Sequence, residues 1–307
     1  MTFLNNLARV LVCALILSAA PAVALAQGPA PPARVEVMLT GGKSSPAPEL
    51  TREDVRVYVD GVERPVVSFE KEVLPVSYGL VVDNSGSLRS QVYAVATAAK
   101  YVVSRNGPED QAFVERFVSS DNIDILQRLT GDGDALYSAL DSMRIEGGQT
   151  AMLDALYMAG DYLIKSTKQT DAPKRRLALV LVTDGEDRHS SSKVEEVLKL
   201  LKGGGVQVFC VGLTGALEND RGFVVKGKRQ TAKELLAKLA AETGGRVFYV
   251  EKNGQLEEAV ADLANNLRTR YAIGYAPPEP GAKGNGKVEV KLVGAAARAK
   301  LKAEVRP

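Results

Sequence analysis

Three runs of almost unbroken apolar residues constrain this chain most: VSYGLVVD at 76–83, LALVLVTD at 177–184 and VQVFCVG at 206–212. A strand with one wet face alternates apolar and polar side chains. A strand that does not alternate must be covered on both faces. Helix-period segments lie between these runs. Residues 88–104 place Val92, Val95, Ala96, Ala99 and Val103 at helical spacing. TAMLDALYMAGDYLIKS puts Leu153, Leu156, Tyr157, Leu163 and Ile164 on one face. Further helices are expected at DALYSALDSM, 192–202, TAKELLAKLAAET and 254–270. QAFVERFV and IDILQRL read as short strands joined by a turn at SSDN, and RVFYV as another strand. Buried strands alternating with helices predict an α/β fold over residues 75–270. It is a doubly wound, mostly parallel six-stranded sheet with helices on both faces.

The flanks read differently. RVEVML alternates, with Val35, Val37 and Leu39 on one face, and VRVYVDGVERPVVSF reads as a hairpin turning at Asp60-Gly61. After Tyr271 the alternation returns in YAIGYAP, KVEVKLVG and RAKLKAEV, with PPEPGAKGNGK as a loop. The simplest arrangement brings residues 35–74 and 271–307 together as one small β unit beside the α/β domain. Residues 27–34 are a Pro-rich linker.

Residues 1–26 have the form of a secretory signal peptide. Arg9 precedes a short apolar stretch, and Ala24 and Ala26 occupy the small-residue positions of a cleavage site. Cleavage after Ala26 predicts a secreted or periplasmic protein. No later segment approaches the roughly 18 apolar residues of a membrane span, so no integral membrane segment is expected after cleavage. Cys210 would then be the one cysteine left, unable to form an internal disulfide and buried in an apolar strand. Taking Arg9 from 39 basic residues leaves 38 against 37 acids. That balance offers no electrostatic footprint for nucleic acid, and KGKR at 226–229 is expected to be a solvated loop.

Two of the apolar runs end in aspartate, as LVVD at Asp83 and LVTD at Asp184. Parallel strands place both carboxylates at one sheet edge, where open α/β sheets bind ligands. Ser85 and Ser87 alternate in the loop after Asp83. Thr150 stands before a helix, where its default role is an N-cap. Two carboxylates and three hydroxyls are hard oxygen donors, suited to Mg²⁺, Mn²⁺ or Ca²⁺ rather than zinc. Two carboxylates just balance a divalent ion, which leaves the ion able to accept an acidic side chain from a partner.

Other chemistries fit less well. A serine hydrolase needs a base, and the one histidine, His189, sits in the polar loop DRHSSSK, while VVDNSGS is not a G-x-S-x-G elbow. An aspartic protease needs two matching loops, and a phosphate loop needs a G-x-x-x-x-G-K-[ST] run; neither occurs. Asp132 and Asp134 lack calcium-loop spacing and are expected at a turn and a helix cap. Glu186 and Asp187 are expected to be exposed acids or supports behind the site. Tyr157, Tyr162 and Phe209 read as core.

DNSGS resembles the Asp-x-Ser-x-Ser motif of the von Willebrand factor type A (VWA) domain. Thr150 and the Asp184 of VTDGED are similar to the second and third elements of that family's metal-ion-dependent adhesion site. More narrowly, VRVYVDGVERPVVSFEKE and LRTRYAIGYAP resemble the flanks of bacterial secreted VWFA-related proteins. The resemblance implies that Ser85, Ser87 and often Thr150 bind the metal directly. Asp83 and Asp184 would act largely through water, and a partner's Glu or Asp carboxylate would supply the last ligand. Gln149 departs from the family by separating the glycine pair from Thr150. The expectation is a non-enzymatic adhesion or assembly module. The alternatives are a subunit whose metal only stabilises the fold and a metal-assisted hydrolase.

Overall fold

The apolar runs form the middle of a sheet. The structure is a computed structural model that describes residues 31–41, 49–86, 88, 92–144, 146, 148, 150–168, 175–213, 224–250, 255–279, 286–298 and 301–306. The expected signal segment, Ser87 and Gln149 lie outside the described residues. Pro32–Pro307 form one compact unit.

The first flank carries β1 (Ala33–Gly41), β2 (Val55–Val59), β3 (Val62–Arg64) and β4 (Val66–Val73). Next come β5 (Val76–Asp83), α1 (Val92–Val103), β6 (Gln111–Phe117), β7 (Ile123–Thr130), α2 (Gly133–Ser142) and α3 (Met152–Thr167). They are followed by β8 (Arg176–Thr183), α4 (Val194–Gly203), β9 (Val206–Gly212), α5 (Val224–Thr243), β10 (Val247–Tyr249) and α6 (Leu256–Arg268). The second flank adds β11 (Thr269–Tyr275), β12 (Val288–Leu292), the short α7 (Gly294–Arg298) and β13 (Leu301–Arg306).

The central sheet has six strands in the order β10-β9-β8-β5-β6-β7. Its pairs are parallel except β6–β7. Every residue of β5 and of β9 is buried. The period of two explains why both faces are apolar. Leu80 and Val82 pack with Val95, Leu136 and Val260 of α1, α2 and α6. Val81 points the other way, into a core with Leu156, Val197 and Leu236 of α3, α4 and α5. From β5 the chain builds β6 and β7 on one side, then returns to lay β8 on the other. The strand order therefore reverses between β5 and β8. Such a reversal opens a crevice at the carboxyl ends of the two strands.

The flanking strands form two sheets around one core: β13-β1-β11-β4 and β12-β2-β3. The split falls between β3 and β4 at Pro65, whose carbonyl accepts from the Ala276 amide at 3.0 Å on the β11 side. Beyond it β4 pairs with β11. The hairpin turns at Asp60 (φ 50°) and Gly61 (φ 81°), as expected. Arg176 of β8 donates to the carbonyls of Asn266 and Thr269 and to Gln207 Oε1, which ties the central sheet to the α6–β11 junction.

Three expectations need correction. Residue 88 is not part of α1, and α5 spans Val224–Thr243, so KGKR at 226–229 is helical and not a loop. Tyr157 is 41% exposed, because Ala155, Leu156, Ala159 and Leu163 carry the buried face of α3 and leave the ring on its border. Phe209 is buried, and Tyr162 packs edge-on against Phe113.

Candidate metal centre

Asp83 is the last residue of β5, and Asp184 directly follows β8. These strands are parallel neighbours in the register Val82↔Val182. Both carboxylates therefore stand at the switch point. Asp83 and Asp184 are fully buried, and Ser85 and Thr150 are nearly so. Four of the five expected residues thus lie at the strand end and in the loops of this edge.

The local backbone explains how two acids stay there. Asp83 Oδ1 accepts from the Ser85 amide at 3.0 Å, and Oδ2 accepts from Thr183 Oγ1 at 2.6 Å. Thr183 Oγ1 in turn accepts from the Gly185 amide at 3.1 Å. Asp184 Oδ1 accepts from the Glu186 amide at 3.0 Å. The turn after Asp184 requires glycine. Gly185 has φ 87°, and a Cβ there would meet Leu236 at 3.0 Å.

Thr150 is held by its backbone. Its carbonyl accepts from the amides of Arg188 and His189 at 2.9 and 3.1 Å, and the next amide, Ala151, donates to Val118 O at 3.0 Å. The segment between β6 and β8 is thus pinned by the loops after both strands. The default capping role of Thr150 is taken by other residues. Asp187 Oδ1 accepts from the amides of Met152 and Leu153 at 2.8 and 3.3 Å. Ser190 Oγ lies 3.0 and 3.2 Å from the amides of Leu153 and Asp154, and donates to Asp187 Oδ1 at 2.6 Å. Thr150 is left outside the cap at the sheet edge.

A second carboxylate, Asp154, binds the same loops together. It accepts from Ser120 Oγ at 2.6 Å and from the Ser191 and Ser192 amides at 2.9 and 2.7 Å. Burial pushes its pKa up, but the hydrogen bonds from Ser120, Ser192 and Ser191 outweigh this and hold it below the ordinary carboxylate range. Glu186, expected to be exposed, is buried and ion-paired to Arg188. Asp132 caps α2 through the amides of Asp134 and Ala135, as expected. Sequence reading left Asp187 open as a support behind the site, and missed Ser190, Asp154 and Ser120. The signal for Asp187 and Ser190 is the density of polar residues in DGEDRHSSS, a run that holds neither Asp154 nor Ser120.

Burial, and then repulsion from Asp184, push the Asp83 carboxyl above the ordinary carboxylate range. Two buried acids that oppose each other's ionisation gain from a cation between them. Among the described residues no group of three His, Cys, Asp or Glu side chains could hold a metal. An ion here would depend on the hydroxyls of Ser85 and Thr150 as well as the two carboxylates. That hard, charge-balanced donor set fits a divalent ion of the Mg²⁺ type. His189 is exposed, and its backbone rather than its ring serves the site. The Cys210 thiol is buried, and its pKa is pushed up by that burial.

Residues 79–262, more than half of the chain, match the von Willebrand factor type A domain. A search of curated proteins found no match. Among solved structures, a von Willebrand factor type A structure from Catenulispora acidiphila aligns with TM-score 0.50 and 17% identity, over 86% of this chain and 73% of that one. Proximal thread matrix protein 1 from the mussel byssus aligns with TM-score 0.50 and 17% identity, over 65% of this chain and 48% of that one. The pilus adhesin SpaC from Lactobacillus rhamnosus GG aligns with TM-score 0.50 and 14% identity, over 86% and 48%. At these identities the likeness is one of fold.

Proposed function

The chain belongs to the von Willebrand factor type A domain family, and from that premise we propose that it is a metal-dependent protein-binding module. One observation carries the reading: Asp83 and Asp184 are fully buried side by side at the carboxyl ends of β5 and β8, where the strand order reverses. Ser85, Ser87 and Thr150 would hold the ion through their hydroxyls. Asp83 and Asp184 would set the charge of the site and orient bound water. When bound, the ion supplies a coordination position for a Glu or Asp carboxylate of a protein partner. The hydrogen bonds of Asp187, Ser190 and Asp154 fix the loops, so that the hydroxyls need little rearrangement to bind.

Mg²⁺ is the proposed ion, with Mn²⁺ or Ca²⁺ as substitutes. The module acts outside the cytoplasm, a reading that rests on the signal-like residues 1–26. No described helix is long and apolar enough to cross a membrane. A non-enzymatic role is part of this reading, and membership in the von Willebrand factor type A family supports it. Equilibrium dialysis against Mn²⁺ tests the reading. One ion per chain is expected, with more than tenfold weaker binding in Asp184→Ala. Equal binding by that variant would place the ion elsewhere and refute the assignment.

A further inference from the structure

A groove runs between α3 and α4, on the outer side of the helices that cover one face of the sheet. It is open-sided, holds about 700 Å³ and is lined by Tyr157, Ile164, Lys168, Lys199, Leu200 and Gly203, among others. Both helices start at the metal edge and run away from it, and the ten residues of α4 make the groove about 15 Å long. Its floor is apolar, from Ile164 and Leu200. Tyr157 and its neighbour Met158 are 41% and 46% exposed. Aromatic residues and methionine are the types enriched where proteins meet.

The charges are uneven. Elsewhere on these helices lysines are paired: Lys165 with Asp161, and Lys202 with Glu242. Lys168 and Lys199, on the two walls of the groove, have no acidic partner among the described residues. The acid of the groove, Glu196, has its carboxylate engaged by the Lys193 amide at 3.0 Å, where it caps α4.

We propose that this groove is a second docking surface, separate from the metal edge, and that it takes an acidic amphipathic peptide segment of a partner protein. An apolar side chain would lie on Ile164 and Leu200 against the Tyr157 ring, with flanking carboxylates meeting Lys168 and Lys199. The length suits two to three turns of helix, a recurring mode of peptide recognition. The open side favours a peptide over an enclosed small molecule.

The test is selection from a phage-displayed random dodecapeptide library on the purified protein in EDTA, which takes the metal edge out of play. Binding of the enriched peptides is then measured on wild type, on Lys168→Glu/Lys199→Glu and on Gly203→Trp. A Cβ at Gly203 meets nothing within 4 Å, so an indole can be set on the groove wall there without a backbone clash. The proposal expects peptides with an apolar residue between acids, bound at least tenfold more weakly by both variants and indifferent to Mg²⁺. No enriched family, a family without acids, or equal binding by both variants overturns it. Two further outcomes also overturn it. Decanoate binding that is lost in Gly203→Trp, without peptide enrichment, assigns the groove to a lipid-like anion. Self-association lost in the same variant assigns it to a second copy.

Discussion

Replacing Asp187 with alanine should loosen the start of α3 and, through it, Thr150. The carboxylate accepts from Met152 N and Leu153 N and holds the Ser190 hydroxyl at 2.6 Å. In the variant, Leu153 N keeps Ser190 Oγ at 3.0 Å, and Met152 N loses its acceptor. Loss of one capping acceptor costs about 1 kcal/mol, in a range of roughly 0.5–2. For a domain of this size that is about 2–4 °C in melting temperature per kcal/mol. The effect on the metal should be larger than the effect on the fold. The Thr150 carbonyl is held by Arg188 N and His189 N, which follow directly on Asp187. Loss of such a support behind a metal site typically weakens the metal by about 10–100-fold. Asp187→Asn keeps an acceptor oxygen and should recover most of both losses. The assays are a melting curve in EDTA and a Mn²⁺ titration. Wild-type melting and wild-type affinity in Asp187→Ala would refute the claim that this carboxylate builds the site.

Other perturbations test the fold around the centre. Glu115 is fully buried, neither carboxylate oxygen has a hydrogen-bond partner among the described residues, and burial raises its pKa well above the ordinary value. The native state then keeps a proton that the unfolded chain loses above about pH 4.3. Its contribution to stability is fully present below that pH and falls as pH rises, by up to about 1.4 kcal/mol per unit. Glu115→Met should therefore be more stable than wild type in urea at pH 8, with the gap closing toward pH 5; a pH-independent gap would contradict this. A Cβ at Gly79 would lie 2.2 Å from the Phe113 ring and 2.9 Å from Leu179, so Gly79→Ala should cost about 1–3 kcal/mol by overpacking. Chemical denaturation would show it, and an unchanged midpoint would mean the β5–β6 core is looser than described. Arg246 and Asp262 form a buried ion pair at 3.0 Å, so Arg246→Met should cost about 3–5 kcal/mol. Adding Asp262→Leu should restore most of that loss, and a double variant no better than the single would argue against the pair.

The central sheet was legible because its strands are buried on both faces, so VSYGLVVD and VQVFCVG could not be taken for half-wet strands. The strand-end acids were legible for the same reason: a carboxylate closing an apolar run stands out. The split of the flanks into two sheets was hidden, because alternation in β1 and β2 says which face is buried and not which strand is the neighbour. The supports of the site were legible only in part: Asp187 was open as a support, but its contacts, and Asp154 altogether, were hidden. Asp187 and Asp154 act on amides of other loops, 35 and 37 positions away in the cases of Met152 and Ser191. No local pattern encodes such contacts. Tyr157 was misplaced because helical spacing assigns a face but does not say how wide a neighbouring helix will cover it.

The most direct test of the account is thermal unfolding of the purified protein in EDTA and then in Mg²⁺, Mn²⁺ or Ca²⁺, beside Ser85→Ala and Asp184→Ala. An ion at about 100 times its dissociation constant should add roughly 2.7 kcal/mol, or about 5–11 °C at the scale given above. The account predicts that shift for wild type with at least one of the ions, and little or none for either variant. A wild type indifferent to all three ions, or variants that shift as wild type does, would contradict a metal centre at Asp83 and Asp184.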